Sequence, residues 1–347
     1  MQKTQKQKTI DFLINNGVII VMFILVLYTG LTSNNFLTRN NFLNILGNMS
    51  YRLVIALGIA GCVITAGCDL SAGRMIGFGA CIAGMLLQKA DYSGRFFGQG
   101  SWAGGFFDRF QSAGISGNTL LFMLFVLLIT MLITAFFGTI TGWFIAYLNV
   151  PPFISTLAMM EIIYGLGLIL TGATPLGGYV ETYTKVSTGK LLWLSYLIWI
   201  ALLMAAITWF IFNMTRHGKY MYAIGGNPQA AEVAGVPVKQ TMVIIYAKAA
   251  AFYGMAGFML GAKAGGASIN TGLGYEMEAI AACALGGVSV TGGRGRVSSA
   301  IIGVAVLELL KAALQFLGVN ANAQYIAIGI VIFIAISLDI RKYVAKK

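Results

Sequence analysis

The chain is predicted to be an all-α, polytopic membrane protein with about ten transmembrane helices. Hydrophobic residues make up 58% of its 347 residues and charged residues only 10%, whereas soluble domains carry about 25% charged residues. The apolar residues also occur in runs long enough to cross a bilayer, which takes about 20 residues for roughly 30 Å of hydrocarbon. Composition and run length together predict a chain that lies mostly in lipid.

Ten apolar runs follow one another, and we interpret residues 1–347 as a single transmembrane domain. Ten crossings place both termini on the same side of the membrane. That side then receives thirteen Lys and Arg residues and the other side about eight, and the excess marks it as cytoplasmic. The predicted spans are 14–32, 48–67, 72–90, 118–148, 153–172, 191–214, 240–262, 275–291, 297–317 and 321–339.

Several classes of function are excluded by what the sequence lacks. The net charge of +12 follows the membrane topology, and no basic patch interleaved with aromatic residues indicates nucleic-acid binding. No G-x-x-x-x-G-K-[ST] motif is present, so ATP is not bound by that route. The single histidine, His217, offers no Ser/His/Asp set, and the four cysteines have no metal-like spacing. An enzyme, a metal site and a cofactor in this chain are therefore not expected.

Four charged residues fall inside the predicted spans: Glu161, Lys248, Glu308 and Lys311. Each would cost a few kcal/mol facing lipid at mid-depth, so each is expected to face protein or water. Glu308 and Lys311 are three residues apart on one helix and can pair with each other. A proton or ion relay is the functional interpretation. A structural pair is favoured, because one member is a lysine and no chain of acids leads away from it.

Two polar segments interrupt the apolar pattern between spans. Asp69-Leu70-Ser71-Ala72-Gly73 is one, and Asn149-Val150-Pro151-Pro152-Phe153 is the other. Non-helical backbone near membrane depth is tolerated only where protein or water satisfies it, which indicates a pathway lining or a gate. An ordinary interfacial turn, with Asp69 or Ser71 as a helix N-cap, is an equally good interpretation.

A short segment of small residues, AIGGNPQAAEVAGVPV, occupies 223–238 within the predicted cytoplasmic loop 215–240. Asn227 is predicted to be an N-cap and Pro228 the first helical residue. The helix over 229–234 is stopped by Gly235 and Pro237. Two turns are too few to be stable alone in water, so flanking spans or a partner must hold them. The alanines at 230, 231 and 234 are expected to allow another surface to approach closely.

Four motifs in this chain resemble, in the same order, those of the ribose, xylose and galactose family of ABC-importer permeases. They are ITAGCDLSAGRMIG, YLNVPPFISTLAMM, TRHGKYMYAIGGNPQAAEVAGVPV and YEMEAIAACALGGVSVTGGRG. The resemblance covers nearly the whole chain and, with the LDIRKYVAKK ending, is strongest to the methyl-galactoside/galactose branch. It implies a multi-pass subunit of the bacterial inner membrane, similar in architecture to the vitamin B12 type of importer permease.

The resemblance also implies partners and residue roles. The permease would work as a homodimer with a separate ATPase that binds ATP and Mg, and an external sugar-binding protein would deliver galactose, methyl galactoside or glucose. The residues expected to form the ATPase-coupling helix are Gly225, Gly226, Asn227, Ala230, Ala231 and Gly235. Those expected near the pathway or its gate are Asp69, Leu70, Ser71, Gly73, Asn149, Pro151 and Phe153.

The charges at Glu161 and Lys248 depart from the family pattern, and their opposite signs suggest a pair between the spans 153–172 and 240–262. A secondary transporter driven by an ion gradient is the alternative function, since membrane acids would serve it. A structural or receptor-like membrane protein is a third alternative.

Overall fold

The structure is a computed structural model that describes residues 20, 22–89, 91–97 and 120–344. It is helical apart from a two-stranded antiparallel hairpin formed by β1 (Lys190–Leu191) and β2 (Leu194–Ser195). The described helices are α1 (Met22–Thr32), α2 (Arg39–Ile64), α3 (Ala72–Leu86), α4 (Leu120–Tyr147), α5 (Pro152–Thr171), α6 (Glu181–Thr188), α7 (Tyr196–Met214), α8 (Arg216–Gly226), α9 (Pro228–Val233), α10 (Val238–Ala264), α11 (Tyr275–Gly286), α12 (Val297–Phe316) and α13 (Ala321–Val344).

Two long helices, α2 and α10, form the centre of the bundle. α10 packs against α4, α3 and α2, and α2 also contacts α7, α11 and α12. Small residues permit these close approaches: a Cβ on Gly257 would overlap the α3 backbone, and one on Gly138 of α4 would stand 2.5 Å from Tyr246 O. Such small-residue faces drive helix association in lipid, where apolar burial gives little gain.

Six described helices are long and apolar enough to cross a membrane: α2, α4, α5, α7, α10 and α12. The chain is therefore a multi-pass membrane protein that is mainly helical over the described residues. Other apolar helices are shorter as described, among them α3 with 15 residues and α11 with 12. At 1.5 Å per residue these two reach only about 22 and 18 Å, less than the hydrocarbon thickness.

Several predicted boundaries differ from those observed. α2 begins at Arg39, nine residues before the predicted start, because Thr38 caps it by accepting a hydrogen bond from Asn41 N at 3.4 Å. α11 ends at Gly286 and not near 291, since Gly287 terminates it with φ +95°. The charge distribution predicted Arg52 on the outer side of the membrane, whereas the structure places it within α2, partly buried in the bundle.

Candidate functional site

The segment between α7 and α10 contains two helices: α9 was predicted, whereas α8 runs to Gly226 through residues that were predicted to form a turn. Thr215 caps α8 by accepting from Gly218 N at 3.2 Å. Asn227 caps α9 by accepting from Ala230 N at 3.0 Å, and Pro228 is the first helical residue. Gly235 follows with φ +83°, a conformation that favours glycine. The predicted N-cap and the two-turn helix are confirmed.

One face of α9 is open and the other is packed. Val233 is 91% exposed, and Gly226, Asn227, Ala230 and Gly235 are also exposed. Ala231 is only 4% exposed and belongs to the protein core, so the expectation that it offers a bare face to another surface is wrong. The free surface of α9 therefore centres on Val233.

Gly225 joins α8 to the rest of the bundle. A Cβ on this residue would overlap Ile64 O and stand 2.6 Å from Gly293 N. Gly293 N in turn donates to Ile64 O at 2.8 Å, and Tyr222 Oη donates to Gly295 O at 2.8 Å. The end of α2, the α11–α12 loop and α8 thus meet at one point, which we call the Gly225 junction. The backbone of Gly226 also lies beside Gly293, but nothing is within 4 Å of its own Cβ position.

Two buried polar side chains, one on α8 and one on α10, lack hydrogen-bond partners in the described part of the chain. His217 Nε2 and Lys248 Nζ are both buried without a hydrogen-bond partner there. Lys248 Nζ lies 4.8 Å from the ring centroid of Phe212. Burial, with a smaller contribution from the positive charge of Lys248, lowers the pKa of His217 to about 4. His217 is therefore neutral at physiological pH.

The structure does not form the expected pair between Glu161 and Lys248. Glu161 is exposed on α5, whereas Lys248 Nζ faces Phe212 and Gly61 inside the bundle. One side chain points outwards and the other into the bundle, because opposite charge alone does not determine how two helices are rotated relative to each other.

Asp69 lies in non-helical backbone well inside the bundle. It is 2% exposed and accepts from Ser71 N at 3.0 Å, from Ser71 Oγ at 2.6 Å and from Tyr253 Oη at 3.1 Å. Tyr253 is the sixteenth residue of the 27-residue helix α10. The segment 65–71 therefore rises from the Gly225 junction to the middle of the bundle, where α3 begins. Ser71 precedes α3 without a side-chain cap hydrogen bond.

Leu70, Ser71 and Gly73 are buried beside Asp69. A Cβ on Gly73 would overlap Glu276 Oε2 and stand 2.7 Å from Gly272 O. The motif around Asp69 thus meets the first turn of α11. Glu276 is 8% exposed, and its Oε2 has no hydrogen-bond partner among the described residues.

The Asn149 segment lies nearer the end of the bundle that carries α8 and α9, and Thr156, one turn after Phe153, donates to Cys68 O at 3.3 Å. Asn149 has φ +54° and connects α4 to α5, with Pro151 as the N-cap of α5. Gly142, near the end of α4, packs against Val243, near the start of α10. The segment that follows α4 is therefore at the same end of the bundle as the start of α10. Phe153 is 56% exposed. The Asn149 segment therefore lies where an interfacial turn would lie. The Asp69 segment lies near the middle of the bundle, the depth expected for a pathway lining or a gate.

Glu308 and Lys311 do not pair with each other, and that prediction is wrong. Arg52 Nη1 lies 2.6 Å from Glu308 Oε2 and 3.5 Å from Glu278 Oε2, and Lys311 Nζ lies 2.5 Å from Glu278 Oε1. We call these four residues the Arg52 network. It joins α2, α11 and α12 beside a cavity of about 20 Å³, room for one water molecule.

Sequence reasoning missed Arg52 and Glu278 as intramembrane charges. Both could have been found, because each is a charged residue among apolar ones: Glu278 lies in the YEMEAIAA motif, and Arg52 has apolar residues on either side. Two positive and two negative charges make the Arg52 network neutral, and every member has an opposite charge in contact. Such balance is what allows ionised groups to persist inside a bundle.

Comparison with known proteins identifies the family. Residues 41–336 match the model of the branched-chain amino acid transport system / permease component. The chain belongs to this family. The matched range includes the Gly225 junction, α9, the Asp69 segment and the Arg52 network of the permease.

Individual relatives cover the permease over its whole length. The galactose/methyl galactoside import permease protein of Escherichia coli (strain K12) is 37% identical over 354 residues, 100% of both chains. The corresponding protein of Haemophilus influenzae is 38% identical with the same coverage. The ribose import permease protein of Escherichia coli (strain K12) is 29% identical over 93% of each chain. No solved structure matches the permease significantly.

Proposed function

We propose that this chain is the translocation subunit of an ATP-driven importer for a monosaccharide, in the class of galactose, methyl galactoside or glucose. A separate ATPase binds ATP and Mg, and an extracytoplasmic binding protein delivers the sugar. The observation that carries the proposal is α9, a capped helix whose face around Val233 is exposed. The relatives named as galactose and ribose import permeases support the substrate class.

The ATPase binds the exposed face of α9. A six-residue helix is unstable alone in water, and here the Asn227 cap stabilises its first turn while the buried Ala231 packs it against the bundle. Glu232 is its only charged residue, so an apolar surface around Val233 contacts the ATPase by shape and not by ion pairs. The Gly225 junction transmits the resulting movement to α2 and to the α11–α12 loop.

The permease acts as a homodimer. Glu161 is exposed on α5, within the span 153–172. An ionised side chain at mid-depth costs about 2.5–3.5 kcal/mol or more against lipid, so this face requires water or a second copy. Two copies facing each other give a pathway along the dimer axis, in which ATP-driven closure opens the bundle alternately to the two sides.

We further propose the topology of the vitamin B12 type of importer permease, with ten spans in the inner membrane and both termini in the cytoplasm. In that topology α3 and α11 are buried half-spans that begin near mid-depth. The Asp69 segment and Gly73 line the pathway or its gate. Asn149, Pro151 and Phe153 flank it at the cytoplasmic end.

An ion-gradient transporter is less well supported. Each member of the Arg52 network already has an opposite charge in contact, so the network offers no free acid to carry a proton. The relatives, too, are named as import permeases of sugar transport.

The proposal is tested with Val233→Asp in the complex of permease, ATPase and binding protein reconstituted in liposomes. Desolvating a charge against the ATPase should abolish co-purification of the ATPase and ATP-dependent uptake of D-galactose. Asn213→Asp adds the same charge to an exposed position at the end of α7, outside α8 and α9, and should retain both. Normal uptake by Val233→Asp would contradict the proposal that α9 binds the ATPase. Uptake by the permease alone under an ion gradient, without ATP, would support the alternative.

A further inference from the structure

A second polar cluster lies at the start of α3, away from the Arg52 network. Arg74 Nη1 donates to Asn270 Oδ1 at 2.5 Å, and its guanidinium lies 4.0 Å from the ring centroid of Tyr164 on α5. The carboxylate of Glu276 lies against Gly73, the residue before Arg74. Three separate parts of the chain, α3, the 265–274 loop and α11, thus bring an arginine, an amide and a carboxylate together.

The depth of this cluster follows from its neighbours along α3. Asp69, five residues before Arg74, contacts Tyr253 in the middle of α10. Ile76 O, two residues after it, lies against Gly257, the twentieth of the 27 residues of α10. Arg74 is therefore within about 10 Å of the centre of α10, at 1.5 Å per residue, and inside the hydrocarbon region.

Two members of the cluster, Asn270 and Arg74, are accessible at this depth, whereas Glu276 is buried. Asn270 is exposed, Arg74 is partly exposed, and Glu161, one turn before Tyr164 on α5, is exposed as well. Lipid-facing charges at such a level are costly, so ionisable residues in spans face protein or a water-filled cavity. In the assembled protein, this side of the permease therefore contacts water or another protein surface and not lipid.

The chemistry of the cluster suits a molecule with several hydroxyl groups. The guanidinium offers N–H donors, the Asn270 amide offers donors and an acceptor, and the carboxylate accepts. Glu276 Oε2 has no hydrogen-bond partner in the described part of the chain, and an unmade hydrogen bond of a buried acceptor is costly. When the pathway opens to this buried atom, a hydroxyl group of the sugar would satisfy it. Tyr164 is a positioning residue, because its ring holds the guanidinium.

We propose that Arg74, Asn270 and Glu276 form a low-affinity contact site for a monosaccharide in transit. The inference rests on the proposed sugar importer and adds to it the residues that touch the sugar. A weak site is what transport requires here, since tight binding at mid-depth would retain a substrate that the binding protein has already selected. Substrates that lack the hydroxyl group facing Glu276 should cross more slowly.

The first test uses accessibility and needs no ATPase. Leu273 is 57% exposed in the same loop as Asn270, and Leu273→Cys should react with a charged, water-soluble thiol reagent in the full-length permease in nanodiscs. D-Galactose should slow the reaction about twofold or more, and sucrose at equal osmolality should not. Leu132→Cys, on α4 and 59% exposed, and the unmodified permease give the background. No reaction at residue 273, or a rate unaffected by D-galactose, would overturn the inference.

The second test uses transport by the complete complex in liposomes. Glu276→Gln and Asn270→Ala should lower the maximal D-galactose uptake about fivefold or more. The concentration of loaded binding protein at half-maximal uptake should stay unchanged, since that protein docks elsewhere. The conservative Asn270→Gln should recover part of the rate, and Asn322→Ala, an exposed amide at the start of α13, should match the unmodified permease.

The two tests separate the two claims. A complex that imports no D-galactose, D-glucose or D-ribose would contradict the proposed importer, whatever the labelling shows. Normal import by Glu276→Gln and Asn270→Ala would leave the importer intact and overturn the contact site. A loss of folded protein in both variants, with no recovery by Asn270→Gln and no sugar protection of Leu273→Cys, would assign the cluster a purely structural role.

Discussion

The carboxylate of Glu276 occupies the space where a side chain on Gly73 would lie. The two residues belong to α11 and α3 and are brought together at the middle of the bundle. Gly73→Ala is therefore expected to destabilise the folded permease by about 1–3 kcal/mol, the usual cost of overpacking. Thermal unfolding of the purified protein in detergent measures this cost. Gly165→Ala is the control, because nothing lies within 4 Å of that position, and equal midpoints for the two variants would contradict the packing.

Adjacent glycines in the predicted coupling motif should behave differently. Gly225→Ala forces a methyl group against Ile64 O and Gly293 N, and backbone atoms cannot move aside as a flexible side chain can. We expect lower expression and a lower unfolding temperature for this variant. Gly226→Ala, with open space around it, should unfold like the unmodified permease, so that any defect appears only in ATPase binding. Identical behaviour of the two variants would show that the Gly225 junction is not formed.

Removal of Arg52 should unbalance the Arg52 network. Arg52→Met leaves Glu308 without its 2.6 Å partner, and breaking a buried pair on one side typically costs about 3–5 kcal/mol. Lys185→Met removes one member of the exposed pair with Glu181, 3.5 Å apart on α6, and should cost less than about 1 kcal/mol. Denaturation in detergent compares the two. Adding Glu308→Gln to Arg52→Met should restore part of the stability, and its failure to do so would argue against charge imbalance as the cause.

Acidification should weaken the packing of α8 through His217. The pKa of His217 is lowered to about 4 in the folded protein by burial and by Lys248, against about 6.5 in an unfolded chain. The unfolded state binds the proton first as pH falls, so the stability contributed by neutral His217 is complete above pH 6.5 and is lost towards pH 4. The unfolding temperature of the unmodified permease should therefore fall more between pH 7 and pH 5 than that of His217→Gln. Parallel pH profiles would contradict this assignment.

Local features of the permease were readable from its sequence. Asn227, Pro228 and Gly235 predicted the start, first residue and end of α9, because capping depends on backbone groups within a few residues. The family was likewise evident from four motifs in order, and the comparisons confirm it. The six helices long enough to span a membrane coincide with predicted apolar runs for the same local reason.

Contacts between distant parts of the chain were not readable in this way. Arg52 and Glu308 are 256 residues apart, and no spacing rule connects them, so Glu308 was expected to pair with its helical neighbour Lys311. The exposed face of α9 was also misplaced, since Ala231 is buried while Val233 is exposed. A helix of small residues has no amphipathic stripe that would predict its orientation.

The sequence by itself determined a helical membrane protein of a known permease family, together with the caps of its short helix, because composition, run length and capping are local properties. Only the tertiary structure decided which charges pair, which side of α9 is free, and that Gly73, Arg74, Asn270 and Glu276 share one depth. These depend on the rotation and axial position of each helix in the bundle, which are set by packing against residues far away in the chain.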